Sequence, residues 1–146
     1  MKNRFTAIFI AALVLLTALA AAWHLSTRPL TEEGALIVHY KDAQTVLHAD
    51  TLALTDVKGE VVNGKGDTII IDAQGISLPA LLAAAGAESA QSVTAAASDE
   101  YTARLTAGEF DRAYIIIPEE NSFQLIVFGD PDSRRNVRNL AEVIAE

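Results

Sequence analysis

Cysteine is absent from all 146 residues, and that one absence closes several routes. No disulfide can staple the fold, so stability must rest on packing. No thiolate is available as a soft metal ligand or a nucleophile, and no cysteine follows the N-terminal apolar run to carry a lipid. Histidine is scarce as well: His24, His39 and His48 lack the short spacing of zinc-ligand pairs. Basic residues number 11 against 19 acidic ones. Without Lys2 and Arg4 the balance is nine against 19, about −10, and such an acidic body is poorly suited to nucleic acid. Ser77, Ser92 and Ser133 have no paired histidine in a context that would support a hydrolase triad. No arginine pair precedes the apolar run, which favours export of an unfolded chain over twin-arginine export of a folded, cofactor-loaded one.

The first feature present is that run. Residues 5–22 carry no charge, and Thr6 and Thr17 are their only polar side chains. As a helix they span about 27 Å, close to the hydrocarbon thickness of about 30 Å. Lys2, Arg4 and the amino terminus precede them. The positive-inside rule therefore leaves the N terminus in the cytoplasm and sends the rest outside, with Trp23 and His24 at the far interface. Ala20-Ala21-Ala22 offers small residues to a signal peptidase, so cleavage near Ala22, giving a secreted or periplasmic form, is the competing reading. The run exceeds the ~7 to 15 residues of an ordinary signal core, which favours an uncleaved anchor. The expected organisation is a signal-anchor or signal peptide over 1–24, a tether over 25–34 and one domain over 35–146. A domain of that size buries well over half of its unfolded surface.

Within the domain the pattern is β-rich with short helices. Ala35 to Tyr40 reads as a first strand, and Asp50 to Leu54 as a short helix or turn. Lys58 to Val62 and Thr68 to Ile71 flank Asn63-Gly64-Lys65-Gly66-Asp67, whose Asn-Gly marks a hairpin. A phosphate loop is the weaker reading of those glycines, since neither the Walker pattern nor a following helix is present. Ser77 is the expected N-cap of a helix with Pro79 in its first turn, Leu78, Leu81 and Leu82 on its apolar face and Gly86 past its end. Ser92 to Ala97 and Tyr101 to Leu105 form a second expected hairpin around Ser98-Asp99-Glu100, the second strand alternating Tyr101, Ala103 and Leu105 against Thr102 and Arg104. Thr106 and Glu109 have capping-box spacing, predicting a short helix through Arg112. Tyr114 to Ile117 and Phe123 to Phe128 read as central strands broken at Pro118.

Three of these pieces, in this order, resemble the oxidoreductase molybdopterin-binding domain, the fold shared with sulfite oxidase. Gly75-Ile76-Ser77-Leu78-Pro79-Ala80-Leu81-Leu82 resembles that family's Gly-x-x-Leu-x-x-Leu-Leu helix. Asp99-Glu100-Tyr101 resembles its Asp-Gly-Tyr, and Arg135-Asn136-Val137-Arg138-Asn139-Leu140 its basic segment before the final strand. The resemblance covers roughly Ala35 to Glu146. It implies an α+β domain: a mixed β-sheet with a few short helices, preceded here by one N-terminal transmembrane helix. Glu100 replaces the family glycine, and only glycine takes positive φ without steric cost, so the turn is expected to differ. The catalytic members hold molybdenum through a cysteine thiolate, which this chain cannot supply. The chain is also much shorter than a full sulfite oxidase-type enzyme and is more similar to minimal surface or periplasmic versions.

The sharpest chemical candidate is the cluster Arg134, Arg135 and Arg138, because guanidinium forks match phosphate and carboxylate oxygens. In the resembled family the equivalent basic residues face the pterin. The competing reading pairs them with Asp130, Asp132 or Glu142 on a solvated surface. Asp99 and Tyr101 are candidates to share the same cleft, against plainer roles in a turn and a core. The expected function is a membrane-tethered extracytoplasmic binding module, non-catalytic, that recognises an anionic small molecule or an envelope protein. No metal and no cofactor are expected from the residues, and molybdopterin enters through the resemblance alone. The alternatives are an accessory or cofactor-dependent oxidoreductase acting with a partner, and a structural domain of an envelope complex with no small ligand.

Overall fold

The computed structural model describes residues 2–27 and 34–146, which fall into two units, residues 1–30 and 31–146. In the first, α1 (Lys2–Thr27) covers the apolar run and continues past residue 24 into the expected tether. The remainder of that tether, residues 28–33, lies outside the described residues. Leu13, Val14, Leu15 and Leu16 follow one another round the helix and all are exposed, so α1 has no polar face there. The described side chains of α1 are those of residue 8 and residues 10–22. Among the described residues no helix is long and apolar enough to cross a membrane.

The second unit is α+β, with two sheets rather than the one expected. The strands are β1 (Ala35–Tyr40), β2 (Ala43–His48), β3 (Thr55–Val62), β4 (Thr68–Ser77), β5 (Ser92–Ala97), β6 (Thr102–Thr106), β7 (Ala113–Ile117), β8 (Gln124–Val127) and β9 (Leu140–Ala145). One sheet runs β2-β1-β9-β5-β6 and the other β3-β4-β7-β8. In the first, β1 and β9 are parallel and every other pair is antiparallel, so the sheet is mixed. β2 was not anticipated. Only Leu47 on it is buried, so it carries no alternation to read. β7 is internal as expected, but β8 is an edge strand, supported outwardly by a bridge between Leu125 and Val137.

Helix α2 (Leu78–Ala84) forms where the capping signals place it. Ser77 Oγ accepts from the Ala80 N–H at 3.3 Å, and Leu78, Leu81 and Leu82 are buried. Both sheets and α2 contribute to one core, with Leu36 and Val38 of β1, Val93 and Ala95 of β5, Ile115 of β7 and Leu125 of β8 in it. The outer face of the second sheet holds a smaller cluster of Val57, Val61, Ile116 and Ile126, with Ile71, Tyr114 and Phe128 against it. The β3–β4 hairpin curls over that face. Two glycines permit the curl by close approach: a Cβ on Gly59 would stand 2.5 Å from Phe128 Cε1, and one on Gly75 would stand 2.6 Å from the Ile115 carbonyl oxygen.

The turns differ in an instructive way. Asn63 acts through its side chain, Oδ1 accepting from the N–H groups of Lys65 and Asp67, and positive φ falls on Gly66. The β5–β6 turn takes a backbone that favours glycine on a residue with a side chain: Glu100 sits at φ +73°. Its N–H donates to the Ala97 carbonyl at 3.1 Å and the Ala97 N–H to the Tyr101 carbonyl at 2.8 Å. The hydrogen bonds of the hairpin on both sides determine that conformation, and Glu100 bears the strain.

Candidate functional site

Between the end of the β3–β4 hairpin, the β5–β6 turn and the loop after β8 lies a cleft of about 710 Å³. The hairpin contributes Val61 to Lys65, Asp67 and Ile69; the turn contributes Asp99 and Tyr101; Gln124, Ser133, Asn136 and Arg138 complete it. A second groove of about 440 Å³ adjoins it, and Ile69, Gln124 and Arg138 line both. Arg138 therefore stands at the junction.

Asn136 holds the walls together. Its Oδ1 accepts from the Val127 N–H at 3.0 Å, and its Nδ2 donates to the Val62 carbonyl at 3.4 Å, tying β8 to the end of β3. Tyr101 does the same on the other side: its hydroxyl donates to the Arg134 carbonyl at 2.5 Å. The Asp99 carboxylate accepts from the Tyr101 N–H at 3.2 Å, an Asx turn that orients the phenol. The charged lining groups are Lys65 and Arg138 against Asp67 and Asp99, an even balance in an acidic protein.

The arginines divide into three roles. Arg135 does not line the cleft. Its Nε donates to Asp130 Oδ2 at 2.7 Å, its Nη2 to Asp130 Oδ1 at 2.5 Å, and its Nη1 to Glu109. Arg112 completes this cluster, donating to the Phe128 carbonyl at 2.9 Å and to Asp130 at 3.3 Å. Bidentate pairing with Asp130, then the bond to Glu109, raises the Arg135 pKa further above its ordinary value. The Thr106 N–H, then Arg135, lowers the Glu109 carboxyl from 4.5 to about 2. Arg134 is exposed and pairs with Asp132 at 3.3 Å; only its carbonyl serves the site. Arg138 alone lines the cleft, and no hydrogen bond or ion pair engages it among the described residues.

Of the five residues singled out by sequence, the structure brings Asp99, Tyr101 and Arg138 to one cleft and leaves Arg134 and Arg135 outside its lining. Lys65, Gln124 and Asn136 were missed. Lys65 sits in a segment that reads as a hairpin turn in preference to a phosphate loop, and Asn136 acts on a carbonyl 74 positions away, for which a linear pattern has no signal. Among the described residues no group of three or more His, Asp or Glu is placed to hold a metal ion. No family model matches the chain, and no curated protein matches it at a significant level.

Proposed function

We propose that this chain is a membrane-tethered, extracytoplasmic, non-catalytic binding module with a molybdopterin-binding oxidoreductase-like fold, which recognises an anionic ligand or an acidic envelope partner. The observation that carries this reading is Arg138, a guanidinium at the junction of two grooves whose donors are uncommitted among the described residues. Lys65 supplies a second cation in the same cleft. A volume of about 710 Å³ suits a small molecule. The tether rests on the uncharged run of residues 5–22 and on a helix with apolar residues all round it.

An accessory or cofactor-dependent oxidoreductase is the second reading, favoured by the cofactor-sized cleft. Thiolate ligation of molybdenum does not fit this chain, because no residue can donate sulfur as a thiolate. Lys65 and Arg138 fit the phosphate of a pterin as well as they fit any other anion, and the chain's residues define no redox step. Metal analysis and an absorption spectrum of protein from its native source decide between the readings: stoichiometric molybdenum or a coloured cofactor overturns the first.

The binding reading is tested by thermal unfolding of the full-length protein in detergent with pyrophosphate as probe. A ligand that selects the folded state stabilises it by about 2.7 kcal/mol at a hundred times its Kd. R138A is expected to remove the shift without lowering the unliganded melting temperature. A shift that survives R138A removes Arg138 from the site.

A further inference from the structure

We propose that the free edge of β4, over Thr68–Ala73, takes up an extended segment of a partner protein as an added strand, with a carboxylate of that segment on Arg138. This goes beyond the anion-binding reading, and of the charged residues it shares only Arg138 with it.

The edge is defined by register. β4 pairs with β3 along Thr68–Gly75, but with β7 only along Gln74–Ser77. Over Thr68–Ala73, a length of about 17 Å, one side of β4 has no strand beside it among the described residues. The turn establishes which groups point outward. The Asn63 N–H donates to the Asp67 carbonyl at 2.8 Å, so alternate pairs onward from it are hydrogen-bonded: Val61 with Ile69, Gly59 with Ile71, Val57 with Ala73. Thr68, Ile70 and Asp72 therefore turn their N–H and C=O groups away from β3. The Val62 carbonyl confirms this parity on the partner strand, because it points outward to Asn136. No other backbone or side-chain group hydrogen-bonds these six outward groups among the described residues.

Exposed strand edges in monomers are usually blunted by lysine, proline or brevity. β3 follows that practice, with Asp56, Lys58 and Glu60 along it and its last carbonyl capped. The free stretch of β4 reads Thr68-Ile69-Ile70-Ile71-Asp72-Ala73, and Ile70 is 77% exposed. It faces the 440 Å³ groove, whose opposite wall includes Pro118, Ser122 and Phe123. An added strand would lie in this groove at the ordinary spacing of about 4.8 Å from β4. A second copy would present its own β4 in an equally walled groove, so the occupant is a lone extended segment. Its charge follows from the lining: of the groove's two acids Asp72 is paired with Lys58 at 3.4 Å and Glu119 lies on the opposite wall, whereas Arg138, the groove's one cation, meets no carboxylate among the described residues. Backbone pairing then gives affinity, and the acid gives register.

The test uses the full-length protein in detergent and fluorescein-labelled octapeptides that alternate valine and threonine, with one glutamate moved through each position, read by fluorescence anisotropy. At least one position is expected to bind with Kd below about 1 mM. I70P removes an outward N–H that the hairpin does not use, and R138E reverses the cation; each is expected to weaken binding about tenfold. N-methylation of alternate peptide amides must abolish binding to the wild-type protein, which keeps the test decisive if I70P fails to fold. Absence of binding by every peptide at about 1 mM, binding indifferent to amide methylation, or self-association of the protein that I70P removes would each overturn the proposal. Pyrophosphate separates the two readings: its binding is expected to fall with R138E and not with I70P, and to persist if the strand reading fails.

Discussion

Glu109 receives the Thr106 N–H and the Arg135 guanidinium, and both favour its ionised form. Because its folded pKa is lowered to about 2 from 4.5, its contribution to stability is complete above 4.5 and is lost as the pH falls towards 2. Urea midpoints measured across that window are expected to fall with pH in the wild type and to fall less in E109Q. Removing the other partner has a different consequence. R135A leaves Asp130, whose side chain is 7% exposed, without its bidentate cation, and is expected to cost about 2 kcal/mol in chemical denaturation. It thus acts on stability where R138A acts on ligand binding. Glu100 offers the opposite sign. Its φ of +73° suits glycine, so E100G is expected to raise stability by about 0.5 to 1 kcal/mol, with the hairpin unchanged.

At the scale of elements, the β3–β4 hairpin depends on two absent Cβ atoms and one side-chain amide. G59A pushes into the Phe128 ring, a side chain with some freedom to shift, and is expected to cost about 1 to 3 kcal/mol. Shortening that ring to leucine in the same protein should restore part of the loss. G75A meets the Ile115 backbone carbonyl, which has no comparable freedom, so its effect should exceed that of G59A and resist rescue. N136A leaves the Val127 N–H and the Val62 carbonyl unpartnered and is expected to cost about 1 to 3 kcal/mol. Hydrogen exchange at the Val127 amide should quicken in that variant. Strand positions were legible wherever alternation or an apolar run was present, as in β1, β5 and β7. β2 was hidden because an edge strand with one buried side chain has no period to detect.

For the molecule as a whole, the proposed tether predicts that the intact chain stays with membranes through an alkaline carbonate wash, with a mass that includes residues 1–22. Loss of that mass would establish cleavage near Ala22 instead. The two-sheet body is expected to unfold in a single transition, since both sheets and α2 share one core. Its cleft is a product of that assembly. Asp99 and Tyr101 come from a turn of one sheet, Lys65 from a turn and Gln124 from a strand of the other, and Arg138 from the segment entering β9.

What the sequence determined by itself is local: the capped helix at Ser77, the capping box at Thr106, both hairpins, the uncharged run, and the exclusion of thiolate chemistry. Each follows from side chains within a few positions of one another or from composition. The pairing of β1 with β9, the curl that places Gly59 beneath Phe128, and the division of labour among three neighbouring arginines were decided only in the folded chain. Arg134, Arg135 and Arg138 have the same chemistry and adjacent positions. They differ because Asp130 and Glu109 converge on one of them, Asp132 meets another, and among the described residues nothing of opposite charge reaches the third.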